Sequence, residues 1–174
     1  MIKRRIRCII LFVINHFLCG NHFFSLKRLL LNLVGCKIGY NTKIVGPIKM
    51  GVCCDLYIGS DCWIGENFHI YGNDSVKIGD NCDIAPNVSF ATGTHKVGDQ
   101  NRRAGMGYCN PIRIGSGCWI GINSTILSNT TLGYGCIVAA ATVITHSFES
   151  NVMIAGIPGT IKKQLSSEVN KNEY

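Results

Sequence analysis

Along this chain an isoleucine or another apolar residue returns at every sixth position, most plainly in the series Ile114, Ile120, Ile126, Leu132, Val138 and Ile144. A helix repeats its buried face about every 3.6 residues and a half-buried strand about every two, so neither accounts for the pattern. The same register takes in Ile38, Ile44 and Met50, then Ile58, Ile64 and Ile70, then Ile78, Ile84 and Phe90. Fifteen hexapeptides thus fall into five sets of three. Three hexapeptides make one triangular coil of a parallel β-helix, and the pattern predicts an all-β solenoid of five coils.

The interruptions carry as much information as the repeat. Met50 to Ile58 spans eight residues, Ile70 to Ile78 eight, and Phe90 to Ile114 twenty-four. The extra two, two and eighteen residues all follow a third hexapeptide, which stacks them at one corner. Coils contact only their neighbours, so a corner accepts insertions without breaking a ladder, and such insertions gather on the functional face. The longest excursion, 96–112, is the expected functional loop.

Residues 1–34 lack the period. The run 8–19, CIILFVINHFLC, is interrupted by Asn15 and His16 and falls short of the roughly 20 apolar residues that span a bilayer. Cys19, Gly20 and Asn21 make a poor leader-cleavage site. This segment is expected to form one or two helices capping the open end of the coils, with a basic, apolar character that also suits a membrane interface. The expected organisation is a cap at 1–34, a β-helix at 35–161 and a tail at 162–174.

Charge sharpens that reading. The net charge is +7, and nine Lys and Arg residues precede the first acidic residue, Asp55. Such asymmetry points to an anionic surface or a phosphorylated ligand. No nucleic-acid-binding module accompanies it, so nucleic acid is not an expected partner. Ten cysteines would suggest disulfides in a small secreted chain. Here Cys54, Cys62, Cys82, Cys118 and Cys136 fall four residues after an apolar position, where Thr42, Val88, Ser124, Thr130 and Thr142 also fall, and Cys36 fits the same slot. They read as small packing residues, which implies a reducing compartment. No CxxC pair is present, and no metal is expected.

His95 ends the hexapeptide that begins at Phe90, at the mouth of the long excursion, in a register that points outward. An outward imidazole there is a candidate general base. The words IGDNCDIAPNVSFATGTH, NPIRIGSGCWIGINSTIL, AAATVITHSF and IAGIPGTIKK, in that order, closely resemble the hexapeptide-repeat acyltransferases of the galactoside and maltose O-acetyltransferase type. The resemblance covers roughly residues 36–163. It implies a left-handed β-helix, a homotrimer with sites between prisms, and acetyl-CoA as co-substrate with no metal.

By matching motifs, the resemblance makes His95 the base that activates an acceptor hydroxyl for direct attack on the thioester. It makes Trp119 a wall of the acceptor and pantetheine cleft, and Asn67 an acceptor contact. Main-chain N–H groups at Gly121 or Ile122 become candidate oxyanion donors, while Ala140, Thr145 and His146 flank the cofactor, with Lys162 and Lys163 near its nucleotide end. Arg102, with Arg103, is a candidate for an anionic acceptor or a lid. The expected activity is O-acetylation of a sugar of a surface polysaccharide such as O-antigen or capsule, in the cytoplasm with possible peripheral contact of residues 1–34 at the inner membrane face. The alternative on the same fold is an amino-sugar or antibiotic acetyltransferase.

Overall fold

A computed structural model of the chain describes residues 2–166, with side chains from residue 5 onward. Every isoleucine of the hexads is buried, as are Leu132, Val138 and Phe90, and only Met50 among the fifteen is half-buried. The inward stacks form three sheets. The first face stacks Lys37–Ile38, Leu56–Ile58, Val76–Ile78, Ile112–Ile114 and Thr131–Leu132 in parallel. The third stacks Ile48–Met50, Phe68–Tyr71, Ser89–Ala91, Thr125–Leu127 and Val143–Ile144. The second carries Lys43–Ile44, Trp63–Ile64, Asp83–Ile84, Trp119–Ile120, Ile137–Val138 and Val152–Ala155, and ends with Thr160–Gln164 running antiparallel.

Two expectations shift here. Beyond the five coils a sixth turn begins, because Phe148 bridges to Leu132 and Val152–Ala155 pairs with Ile137–Val138. The expected tail at 162–174 begins inside the strand Thr160–Gln164, which folds back on Val152–Ala155 and gives that last edge a partner. Residues 167–174 lie outside the described range.

The corners explain the polar part of the repeat. Asn41, Asp61 and Asn81 turn the first corner, and Asn67, Asn87, Asn123 and Ala141 the second, all at φ between 55° and 61°. Asparagine and aspartate enter this left-handed region more readily than other side chains. The slot next to the first corner forms a ladder between coils. Thr42 Oγ1 donates to the Gly59 carbonyl at 2.6 Å, and Cys62, Cys82, Cys118 and Cys136 Sγ donate to the carbonyls of Gly79, Gly115, Gly133 and Glu149 at 3.1–3.2 Å. All ten cysteines are free thiols. Burial and hydrogen bonding thus account for the cysteine spacing.

Helices α1 (Ile2–Phe17) and α2 (Phe24–Leu33) cover the open end of the first coil. Leu11, Ile14 and Leu31 join the core, but polar side chains satisfy the coil's unpaired backbone. The Asn15 amide exchanges two hydrogen bonds with Ile48 (2.7 and 2.8 Å), and that of Asn32 does the same for Ile38 (3.1 and 2.7 Å). The Arg7 guanidinium donates to the carbonyls of Val34, Val52 and Cys54. Lys27 Nζ, fully buried, donates to those of Gly20 and Val45. A bare sheet end needs such partners, since buried N–H and C=O groups left unpaired are costly.

Candidate active site

The long excursion is a two-stranded arm. Gly93–Val97 pairs antiparallel with Ala104–Cys109, with partners Gly93 and Cys109, Thr94 and Tyr108, His95 and Gly107, and Val97 and Ala104. The chain rejoins the coil where Asn110 N–H donates to the Thr92 carbonyl and Ile112 N–H to that of Ser75. The expected boundaries 96–112 therefore move to 93–109. The arm is bounded by its own ladder, not by the end of a hexapeptide, so His95 lies within its first strand instead of just before it.

The arm fixes the imidazole of His95. Its Nδ1 lies 2.9 Å from the Gly105 carbonyl, which can only accept, so in the neutral ring Nδ1 carries the proton and Nε2 the lone pair. Gly107 sits opposite, where an added Cβ would come within 3.4 Å of the ring. A cavity of about 380 Å³ opens beside His95, lined by Asn73, Gly93, Thr94, Gly107, Tyr108 and Cys109. Asn73 was not picked out from the sequence, although it sits in the second two-residue insertion at this corner.

A second cavity, about 400 Å³, runs along the second face. It is lined by Trp119, Gly121, Ile122 and Ala140, together with Ala85, Ile137, Val138, Ala139 and Met153. Trp119, Ile137, Met153 and Lys163 follow one another in cross-strand register. Trp119 is 56 % exposed and forms one wall. The small residues form the floor, since a Cβ at Gly121 would lie 2.6 Å from the Ala140 nitrogen and 2.8 Å from the Val138 oxygen. Ala85 and Ala139 occupy the position of Gly121 in adjacent coils, a relation that the six-residue register could have revealed.

One expectation is corrected at this groove. The Gly121 N–H donates to the Val138 carbonyl at 2.7 Å within the coil ladder, so it is not available to an oxyanion. Among the described residues, the Ile122 N–H has no such partner.

The other predicted residues lie elsewhere. Asn67 turns a corner at φ 55° and donates to the Asn87 side chain at 3.0 Å. Thr145 and His146 are exposed and line neither cavity; Thr145 Oγ1 lies 3.2 Å from His146 Nδ1, and the His146 ring packs on Phe148. Lys162 and Lys163 lie on the returning strand, with Lys163 opposite Met153 at the end of the groove. Arg102 is exposed at the tip of the arm, its N–H bonded to the Asp99 carboxylate, while Arg103 reaches back to the Gly98 carbonyl. Trp63, outward like Trp119, packs edge-on against Phe24 of the cap. On the third face, His69 accepts or donates at Nδ1 with the Tyr71 hydroxyl, and burial together with Lys49 lowers its pKa.

The two cavities lie on opposite sides of one prism. The arm leaves the corner between the third and first faces, the edge that stands across from the second face.

This architecture has close parallels. A family model described as bacterial transferase hexapeptide (six repeats) matches residues 111–146, and one described as hexapeptide repeat of succinyl-transferase matches residues 56–89. The galactoside O-acetyltransferase of Escherichia coli K12 is 30% identical over 137 residues, covering 79% of this chain and 67% of that protein. The crystal structure of the hexapeptide-repeat acetyltransferase VCA0836 of Vibrio cholerae, complexed with acetyl coenzyme A, superposes with a TM-score of 0.79 at 25% identity, covering 94% of this chain and 87% of that one. A protein of E. coli K12 named for colanic acid biosynthesis, the acetyltransferase WcaF, is 28% identical over 79% of this chain and 74% of its own length. The chain belongs to the hexapeptide-repeat acetyltransferases and has their left-handed β-helix. It is accordingly an acyltransferase.

Proposed function

We propose that this protein transfers an acetyl group from acetyl-CoA directly to a sugar hydroxyl of a surface polysaccharide, with His95 as general base. The observation that carries the reading is the hydrogen bond from His95 Nδ1–H to the Gly105 carbonyl, which leaves Nε2 of the neutral ring as a proton acceptor beside an open cavity that Asn73, Thr94 and Tyr108 also line. Nε2 removes the hydroxyl proton as the oxygen attacks the thioester carbon. The Ile122 N–H is the donor for the developing oxyanion. The C–S bond then breaks, and the CoA sulfur leaves with the proton returned by the imidazolium. Direct attack of the hydroxyl passes through no acyl-enzyme, and Cys62, Cys82 and Cys118 of the coils, buried and hydrogen-bonded to carbonyls, are not placed to act as nucleophiles.

Acetyl-CoA in the VCA0836 complex and the galactoside and colanic acid names of relatives support this choice of donor and acceptor. The Trp119 groove, apolar and floored by small residues, suits a pantetheine arm, and Lys163 at its end suits phosphates. Since groove and base lie on opposite sides of one prism, the reading requires a neighbouring copy, with the arm of one prism closing the groove of the next in a homotrimer. Val97 and Met106, 87 % and 65 % exposed on that arm, suit such a contact.

Transfer of labelled acetyl from acetyl-CoA to purified O-antigen or capsule fragments tests the proposal. His95→Ala is expected to lower the rate by about 10²- to 10⁴-fold, with acetyl-CoA binding retained in calorimetry. Transfer at the wild-type rate would exclude His95 as the base, and label on no glycan would exclude the acceptor class.

A further inference from the structure

The N-terminal helices are inverted with respect to a water-facing cap. Lys27 of α2 is fully buried and Arg7 of α1 nearly so, yet Leu26, Leu29 and Leu33 of α2 are 41 %, 55 % and 70 % exposed. On α1, Ile9, Phe12 and Phe17 also face outward, as does Phe23 between the helices. Leu26, Leu29 and Leu33 fall at i, i+3 and i+7, a continuous stripe along one side of a helix. Large apolar side chains concentrated on a surface in this way mark a site that something covers.

The charge of this end of the chain says what. No acidic residue precedes Asp55, while Arg5, Lys37 and Lys43 are exposed. A second copy docking the same face would bring like charges together, whereas an anionic bilayer offers both an apolar boundary and negative headgroups. Helix α1 is 16 residues, a length of about 24 Å. Among the described residues, no helix is long and apolar enough to cross a membrane. The geometry is that of a helix pair lying in the interface.

We infer that α1 and α2 form a docking surface for a lipid bilayer bearing anionic headgroups, with Phe12, Leu29 and Leu33 entering the headgroup–acyl boundary. The inference does not depend on acyl transfer, and it is read without turnover. The full chain is floated with phosphatidylglycerol–phosphatidylcholine vesicles and, separately, with phosphatidylcholine alone. The wild type is expected to float with the anionic vesicles and to be released by high salt. Phe12→Glu with Leu29→Glu, both at exposed positions, is expected to reduce partitioning by about tenfold or more while melting as the wild type does; should that pair unfold, Leu33→Ser is read instead. A wild type that stays with the pellet, or a folded variant that floats equally well, overturns the inference. So does a variant that changes oligomer size in gel filtration when the wild type ignores vesicles, which would make the face a contact between copies.

Discussion

Cys54 sits fully buried in the turn between the first and second coils, where burial pushes its thiol up to about 12 against the opposing effect of Arg7. Burial raises Cys36 as well. Burial, together with hydrogen bonds from Sγ to carbonyls at Cys54, Cys62, Cys82, Cys118 and Cys136, should shield the set of Cys36, Cys54, Cys62, Cys82, Cys118 and Cys136 from reagents in the folded protein. An aromatic disulfide reagent at mildly alkaline pH should titrate promptly no more than Cys8, Cys19, Cys53 and Cys109, and all ten thiols once guanidinium is added. A fifth prompt thiol would mean that the slot is open. This role was legible in the sequence because a slot shared by cysteine, threonine, serine and valine selects for size. The partner of His95 was not, since the carbonyl of Gly105 faces the ring only through arm pairing that the six-residue period does not describe.

At the scale of elements, the cap is held by polar side chains acting as the strand that the first coil lacks. The sequence showed a basic, apolar segment, but helical periodicity alone does not tell that Lys27 turns in while Leu26 and Leu29 turn out. Burial lowers the pKa of Lys27 below its ordinary 10.5. The sign follows from proton counts in the two states. Below the folded pKa both forms are protonated and the folded chain carries the full cost of desolvating the ammonium. As pH rises past the folded pKa, the folded state sheds its proton while the unfolded one keeps it, so stability rises toward 10.5. The melting temperature of the wild type relative to Lys27→Met should therefore increase as pH is raised from about 7 into the alkaline range. A difference that stays flat would mean that the two carbonyl bonds offset the burial completely.

For the whole molecule, the period of six dictates a prism with three faces, and the insertions dictate which edge carries the arm. What the linear pattern does not display is that this edge stands across the prism from the Trp119 groove, a relation that appears only when the strands are assigned to faces. The proposed chemistry then needs two prisms, and two differently disabled variants can test it. His95→Ala removes the base, and Ala139→Phe fills the groove of an otherwise intact chain. Each alone should be inactive. Co-expressed in equal amounts, they form mixed assemblies in which about one site in four pairs an intact arm with an intact groove from a neighbour. Recovery of roughly that share of wild-type transfer is the expected result. If the mixture stays as inactive as its parents while gel filtration shows that mixed assemblies form, base and groove do not meet across the interface, and the site must be completed within a single chain.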